Sequence, residues 1–398
     1  LIAAGATPAV SAEADSAEDA LAAIRAAAAA AIAADTVSRE PAVAEGEFIS
    51  RQRNLNVFNP EISVTGDVFA FVNSDDPDHD NFVAREFEVA LQSNLDPFSR
   101  AKLFVAHHRH GGEIAPFEVV SGEEVDEHGD AAETEIEEGY VEWVGLPAGL
   151  GLVVGKFRQR FGKLNRWHAH ALPSQQLPLP YRVYFGDDGL SQAGASVHWL
   201  LPIHGAGTYE LWTQLTRSGN ETLFGESHQV SALGHINGFW QLTPATYFEL
   251  GLSGLTGSHA GELVGDAFDV RLFGADFTLD WRPPASAKYR QATVHGGIVL
   301  GKRAFDDSAD TDAFGAFGIG EFKFAQQWVA GARYEYTENP ASPDESAWLV
   351  APALTWWQSE YVRIRAEYEI VSRAGSDRFG QFVLQTTFAM GPHKHETY

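Results

Sequence analysis

The side chains with the most chemical capacity fall between residues 156 and 170. Lys156, Arg158, Arg160, Lys163 and Arg166 are followed directly by Trp167-His168-Ala169-His170. A cationic ladder of this kind lowers the barrier for anions, and when faced by carboxylates it makes a transverse field that orients dipolar solutes. A second group, His107-His108-Arg109-His110, lies upstream. Neutral imidazoles suit zinc, so His108, His110, His168 and His170 are candidate ligands if the two segments converge; ordinary solvated histidines are the competing reading. Adjacent strand residues face opposite sides, so in the first group at most His108 and His110 share a face. No G-x-S-x-G elbow, H-E-x-x-H helix, Walker loop or Rossmann fingerprint occurs in a supporting context. The expectation is a protein that is not an enzyme and needs no cofactor.

Composition narrows what could position these groups. The chain has 398 residues, 44% of them hydrophobic, yet after the first dozen no apolar run approaches the roughly 20 residues of a membrane helix. There is no cysteine, which removes disulfides and thiolate metal sites. Fifty-four acidic residues against 28 basic ones give a formal charge of -26, which argues against a nucleic-acid partner. Much of the acid sits in bursts such as Asp75-Asp76-Pro77-Asp78-His79-Asp80 and Glu123-Glu124-Val125-Asp126-Glu127, which read as solvated loops.

Residues 1–12 read as a signal-peptide remnant, with Val10-Ser11-Ala12 as the cleavage site and a flexible Ala-rich end as the alternative. Residues 13–54 read as a periplasmic segment. Ser16 and Asp19 are spaced as a capping box, Leu21, Ile24, Ala28, Ala31 and Ile32 form a helical stripe to about Ala34, and a polar linker follows.

From Ile62 to Met390 the pattern changes to segments of about ten residues with alternating faces. Val362, Ile364, Ala366, Tyr368 and Ile370 oppose Arg363, Arg365, Glu367 and Glu369. Trp328, Ala330, Ala332, Tyr334 and Tyr336 oppose Arg333, Glu335 and Thr337. The same alternation predicts about sixteen strands, near 62–73, 83–94, 98–109, 136–145, 149–160, 191–201, 207–217, 230–241, 245–255, 266–281, 288–302, 312–324, 327–338, 346–357, 360–371 and 377–390. A switch of apolar parity at Phe273-Gly274 predicts a bulge there. Short links such as Asn94-Leu95-Asp96-Pro97 interleave with long polar ones at 74–82, 110–135, 161–190, 218–229, 256–265, 303–311, 339–345 and 372–376. That asymmetry fits a membrane barrel with turns on one rim and free loops on the other. Trp143, Trp199, Trp240, Trp281, Trp328, Trp356 and Trp357 fall near strand ends, as an interfacial girdle requires; the competing reading places them in a sandwich core.

Parity also assigns charges to the lumen: Lys156, Arg158 and Arg160, opposite Val153, Gly155 and Phe157; then Arg100, Lys102, Arg333, Arg363 and Arg365; and the acids Asp67, Glu86, Glu88, Glu142, Glu249, Glu335, Glu367 and Glu369. Both signs are present, so no ion preference follows.

The strand count and the final segment Gly380-Gln381-Phe382-Val383-Leu384-Gln385-Thr386-Thr387-Phe388 resemble Gram-negative outer-membrane porins, although the chain runs on past Phe388 to Tyr398. Asn59-Pro60-Glu61-Ile62-Ser63-Val64-Thr65-Gly66-Asp67 and Gly162-Lys163-Leu164-Asn165-Arg166-Trp167-His168-Ala169-His170-Ala171-Leu172-Pro173 are similar to segments of poorly characterised porin-like proteins, some labelled zinc-regulated or TonB-dependent receptors. Such receptors carry a plug and a 22-stranded barrel, so the resemblance extends to the barrel and not to energised transport. A more distant similarity is to phosphate-selective porins, without a lysine array that would support phosphate specificity. The resemblance implies an all-β, antiparallel, up-and-down transmembrane barrel over 55–398 in the bacterial outer membrane. It further implies a homotrimer in contact with the lipid bilayer and lipopolysaccharide, and a third long loop, 161–190, folded inward to narrow the channel. The expected function is passive diffusion of small hydrophilic solutes or ions. The alternatives are a structural barrel tethered through its N-terminal helix, and a secreted soluble all-β binding protein or enzyme.

Overall fold

The computed structural model describes residues 60–74, 81–109, 117, 132–203, 205–225, 227, 229–260, 267–303, 311–375 and 377–391. The expected signal remnant, N-terminal helix and linker, with His110 and both acidic bursts, lie outside the described residues. No helix among the described residues is long and apolar enough to cross a membrane.

Sixteen antiparallel strands form one closed barrel: β1 (Glu61–Asn73), β2 (Asn81–Asn94), β3 (Ser99–Arg109), β4 (Ala132–Leu146), β5 (Leu150–Arg158), β6 (Ser191–Leu200), β7 (Thr208–Arg217), β8 (Val230–Thr243), β9 (Thr246–Ala260), β10 (Ala267–Trp281), β11 (Gln291–Arg303), β12 (Thr311–Lys323), β13 (Trp328–Asn339), β14 (Ser342–Trp357), β15 (Val362–Arg373) and β16 (Phe379–Met390). Each pairs with its chain neighbours, and β1 closes on β16 from Val64 opposite Met390 to Asn73 opposite Gln381. The last strand therefore runs two residues beyond Phe388. Closure leaves no edge with unpaired backbone groups, which is the condition for a sheet to stand in hydrocarbon.

The two faces are chemically distinct. Tyr334, Leu252, Leu354, Tyr368 and Leu384 point outward and are exposed, while Arg333, Glu335, Arg363, Arg365, Glu367 and Glu369 are buried inside. An apolar outer band over a polar interior inverts the arrangement of a water-soluble sandwich. Trp199, Trp281 and Trp328 are exposed at the rim that carries the short links, and Trp328 meets Trp356 at 6.3 Å between ring centroids. Trp357 departs from this girdle: it stands opposite Arg363 on the inner face, with the guanidinium 5.6 Å from its ring.

Three sequence expectations are corrected. No bulge occurs at Phe273-Gly274, where β10 keeps unbroken register with β9 and β11. The switch of parity in the sequence arises because Val270 and Leu272 are apolar yet face inward, buried against an apolar cluster inside the barrel. The predicted 339–345 loop shrinks to two residues between β13 and β14, whose ends extend toward each other. Along β5, Val153 and Phe157, expected to face outward, stand opposite the inner-face residues Ser196 and Gln192 and are buried with Tyr140. The β5–β6 register is unbroken, so Val153, Gly155 and Phe157 share the inner face, and Arg158 at the end of the strand is buried as well.

Candidate functional site

The β5–β6 connection runs inside the barrel. Its base is closed by Gln159 N–H donating to the Leu190 carbonyl at 2.8 Å, and by fully buried Asn165. Asn165 donates Nδ2 to the Gln159 and Leu190 carbonyls at 2.8 and 3.1 Å and accepts from Leu190 N–H at 2.8 Å. A compact loop with joined ends, packed on its own side chains, needs only a small cluster to hold it. Phe161, Leu164, Leu172, Leu177, Tyr181 and Phe185 supply that cluster. The helix α1 (Leu179–Phe185) follows Pro178, has Pro180 in its first turn, and ends at Gly186 with φ 81. Proline costs least at these first positions, where the backbone donors are unpaired in any case.

The loop is bonded to the wall on many sides. Gly162 N–H donates to Ser253 Oγ of β9 at 3.0 Å, Leu179 N–H to Glu335 of β13 at 2.8 Å, and Tyr184 OH to the Ala313 carbonyl of β12 at 3.4 Å. Arg363 and Arg365 of β15 donate to the Leu172 carbonyl at 3.3 and 3.2 Å. Arg85 of β2 bridges Asp67 and the Gln175 carbonyl. Gln175 in turn donates to Glu369, which also receives Arg333. A second short helix, α2 (Glu221–Phe224), buttresses this assembly: its cap Asn220 accepts from Leu223 N–H and donates to the Phe185 carbonyl, both at 2.8 Å.

The expected lumen charges separate into groups. Arg333 is paired with Glu335 at 2.8 Å and with Glu367 at 2.7 Å. Lys163 meets Glu249 at 2.5 Å. Arg100 meets Glu142 at 2.7 Å. Lys156, part-exposed, reaches Glu135 at 3.0 Å, and buried Arg158 reaches Glu137 at 2.7 Å and the Asp188 carbonyl at 2.7 Å. Arg160 lies just past the end of β5 instead of within it. Its guanidinium stacks 3.5 Å over the ring of Trp212, and it forms no ion pair among the described residues. Arg166 lies in a short helical turn, Leu164–Arg166. These charges therefore occupy several places around the loop, not one ladder.

The two histidine segments do converge. His168 and His170 stack at 5.8 Å between centroids, and His168 also packs 4.6 Å from Phe104 of β3. His170 Nδ1 stands 3.2 Å from Glu86, and His108 Nδ1 is 3.7 Å from the same carboxylate. His168 Nδ1 is 2.7 Å from oxygens of both Glu88 and Glu137, and its Nε2 is 3.3 Å from Glu138. Glu137 and Glu138 did not emerge from the sequence reading, because strict alternation sends one of them outward. A register shift at this point of β4, where Phe104 pairs with Glu138 and Val105 with Ile136, leaves Glu137 unmatched and both carboxylates buried. The available signal was an adjacent acid pair within an otherwise alternating strand.

No family model matches the chain. A stretch of 68 residues is 44% identical to an uncharacterized protein of Aquifex aeolicus (strain VF5), a match covering 17% of this chain and 14% of that protein. Among solved structures the chain is similar to OprB of Pseudomonas putida, with TM-score 0.57 and 10% identity over 86% of this chain and 96% of that one. It is similar to the anion-selective porin from Comamonas acidovorans, with TM-score 0.56 and 10% identity over 83% and 99%. It is also similar to OmpT, an outer membrane protein of Vibrio cholerae described in a trimer form, with TM-score 0.51 and 10% identity over 83% and 99%. At such identities the likeness is one of fold: this chain has the sixteen-stranded barrel of outer-membrane porins.

Proposed function

We propose that the chain is an outer-membrane porin, not an enzyme, through which small hydrophilic solutes or ions diffuse passively. The observation that carries this reading is the 159–190 loop inside the barrel, bonded to strands on several sides and bringing charged groups of both signs to the interior. A polar, charge-lined lumen narrowed by a fixed loop passes wet solutes and sorts them by charge and size. The apolar outer face is suited to lipid, with lipopolysaccharide as the neighbour on the outer side. A homotrimer is proposed by analogy with the trimer form of the Vibrio protein. Single-channel recording in planar bilayers tests the reading: stepwise ohmic conductance is expected.

A second reading is favoured by how densely the interior is filled, since Arg365, Tyr184, Phe161 and Leu164 are all almost fully buried. Under it, the barrel is closed and structural. Correctly folded protein that inserts into bilayers without ion steps would favour the closed barrel over the porin.

A further inference from the structure

Four carboxylates, Glu86 and Glu88 of β2 with Glu137 and Glu138 of β4, are buried at the point where the loop brings His168 and His170 against the wall. Arg158 pairs with Glu137 at 2.7 Å, and Arg85 pairs with Asp67. Burying several like charges together is unfavourable unless cations or donors settle each of them.

The donors present do not settle Glu88. Its Oε2 stands 2.7 Å from His168 Nδ1, yet that same nitrogen is 2.7 Å from Glu137 and makes its hydrogen bond there. One ring N–H serves one acceptor well, and both oxygens of Glu88, itself 1% exposed, are left without a hydrogen bond. His108 Nε2 is likewise buried without one. Two carboxylates converging on one imidazole nitrogen compete for a single proton, whereas a metal ion placed among them accepts all three donors at once.

The ligand atoms are grouped accordingly. Glu88, Glu137 and His168 lie within 4.8 Å of one another, as do Glu86, Glu88 and His170, and Glu86, His108 and Glu137. Each of the three carboxylates belongs to two of these trios, so the set is one continuous basin. Mixed imidazole and carboxylate donors suit zinc-class divalent ions better than calcium or magnesium, which favour all-oxygen shells.

We propose that Glu88, Glu137 and His168 hold a divalent transition-metal ion inside the barrel, with Glu86, His108 and His170 as adjoining ligand positions. The site does not depend on whether the barrel conducts, so its failure and the failure of the channel reading are separately visible.

The test uses the folded full chain in detergent, stripped with a chelator and titrated calorimetrically with zinc chloride. Folding of each variant is checked by heat-modifiable gel migration. One zinc per chain is expected, with affinity falling roughly tenfold or more in Glu88→Gln and in His168→Gln, and unchanged in His198→Gln, outside the basin. In wild type alone, copper and ascorbate should oxidise His168, His170 or His108 in preference to other histidines, which keeps the proposal testable if the variants fail to fold. No zinc uptake by wild type, unaltered affinity in both folded variants, or oxidation confined to other histidines overturns it.

Discussion

Arg363, in the strand next to last, donates its Nη2 to the main-chain carbonyl of His170 at 2.9 Å, across 193 residues of sequence. Together with the bonds from Arg363 and Arg365 to the Leu172 carbonyl, it fastens the middle of the interior loop to the wall opposite β7 and β8 in the strand order. Hydrogen bonds from a charged donor contribute about 1.5–3 kcal/mol each when buried.

Replacing both arginines by methionine should therefore loosen the loop without opening the barrel. Limited proteolysis is expected to cut within 159–190 in the variant and not in wild type, while heat-modifiable migration is retained. Equal resistance in both would show that the apolar cluster alone holds the loop.

Gly301 of β11 gives a steric test. A Cβ built there would lie 1.9 Å from Tyr184 Oη, so α1 rests directly on the bare backbone. Gly301→Val should displace Tyr184 at a cost of about 1–3 kcal/mol, and raise protease sensitivity of the loop. An unaltered loop would mean that Tyr184 has room to swing aside.

Arg160 is the cation best placed to act on permeating ions, because Lys156 and Arg158 are matched by Glu135 and Glu137 while Arg160 rests on Trp212. Arg160→Gln should shift the reversal potential in a salt gradient toward cations. The same change at Arg158 should alter folding more than selectivity, since it strands buried Glu137. A reversal potential identical to wild type in Arg160→Gln would remove that residue from the ion path.

Leu252 sits midway along β9, points outward and is 41% exposed. If that face meets hydrocarbon, Leu252→Arg should cost about 2–4 kcal/mol of folding stability in lipid vesicles, as arginine does at a bilayer midplane. Equilibrium unfolding in guanidinium measures it. A cost within about 0.5 kcal/mol of zero, the range of ordinary surface changes, would contradict lipid contact.

Asp96, in the β2–β3 turn, accepts from the Phe98 and Ser99 amides, both at 2.7 Å. The Phe98 amide foremost, then the Ser99 hydroxyl and amide, hold its carboxyl below the usual 3.8. An acid whose pKa falls on folding stabilises the fold above its unfolded value and loses that effect as pH drops through the folded one. Both amide proton shifts should titrate with a midpoint below 3.8, and a midpoint at or above it would rule this out.

Strand number and order were legible because the alternation of Val362 to Ile370 against Arg363 to Glu369 is a local signal, repeated every two residues and enforced by the pleat. The basic run from Lys156 to Arg166 and the two histidine segments were visible for the same reason, as residue types at short spacing. Sequence also supplied the prolines and glycines that shape α1. Only the closed barrel decided the rest, because it sets which distant groups meet. Val270 and Leu272 look misplaced until a loop from another part of the chain gives them an apolar surface inside. Glu137 and Glu138 share one face only through the unmatched residue in β4. His108, His168 and Glu88 become neighbours because closure folds β2, β3 and β4 against a loop that begins after β5. Such contacts depend on register and ring closure, which no short window of residues contains.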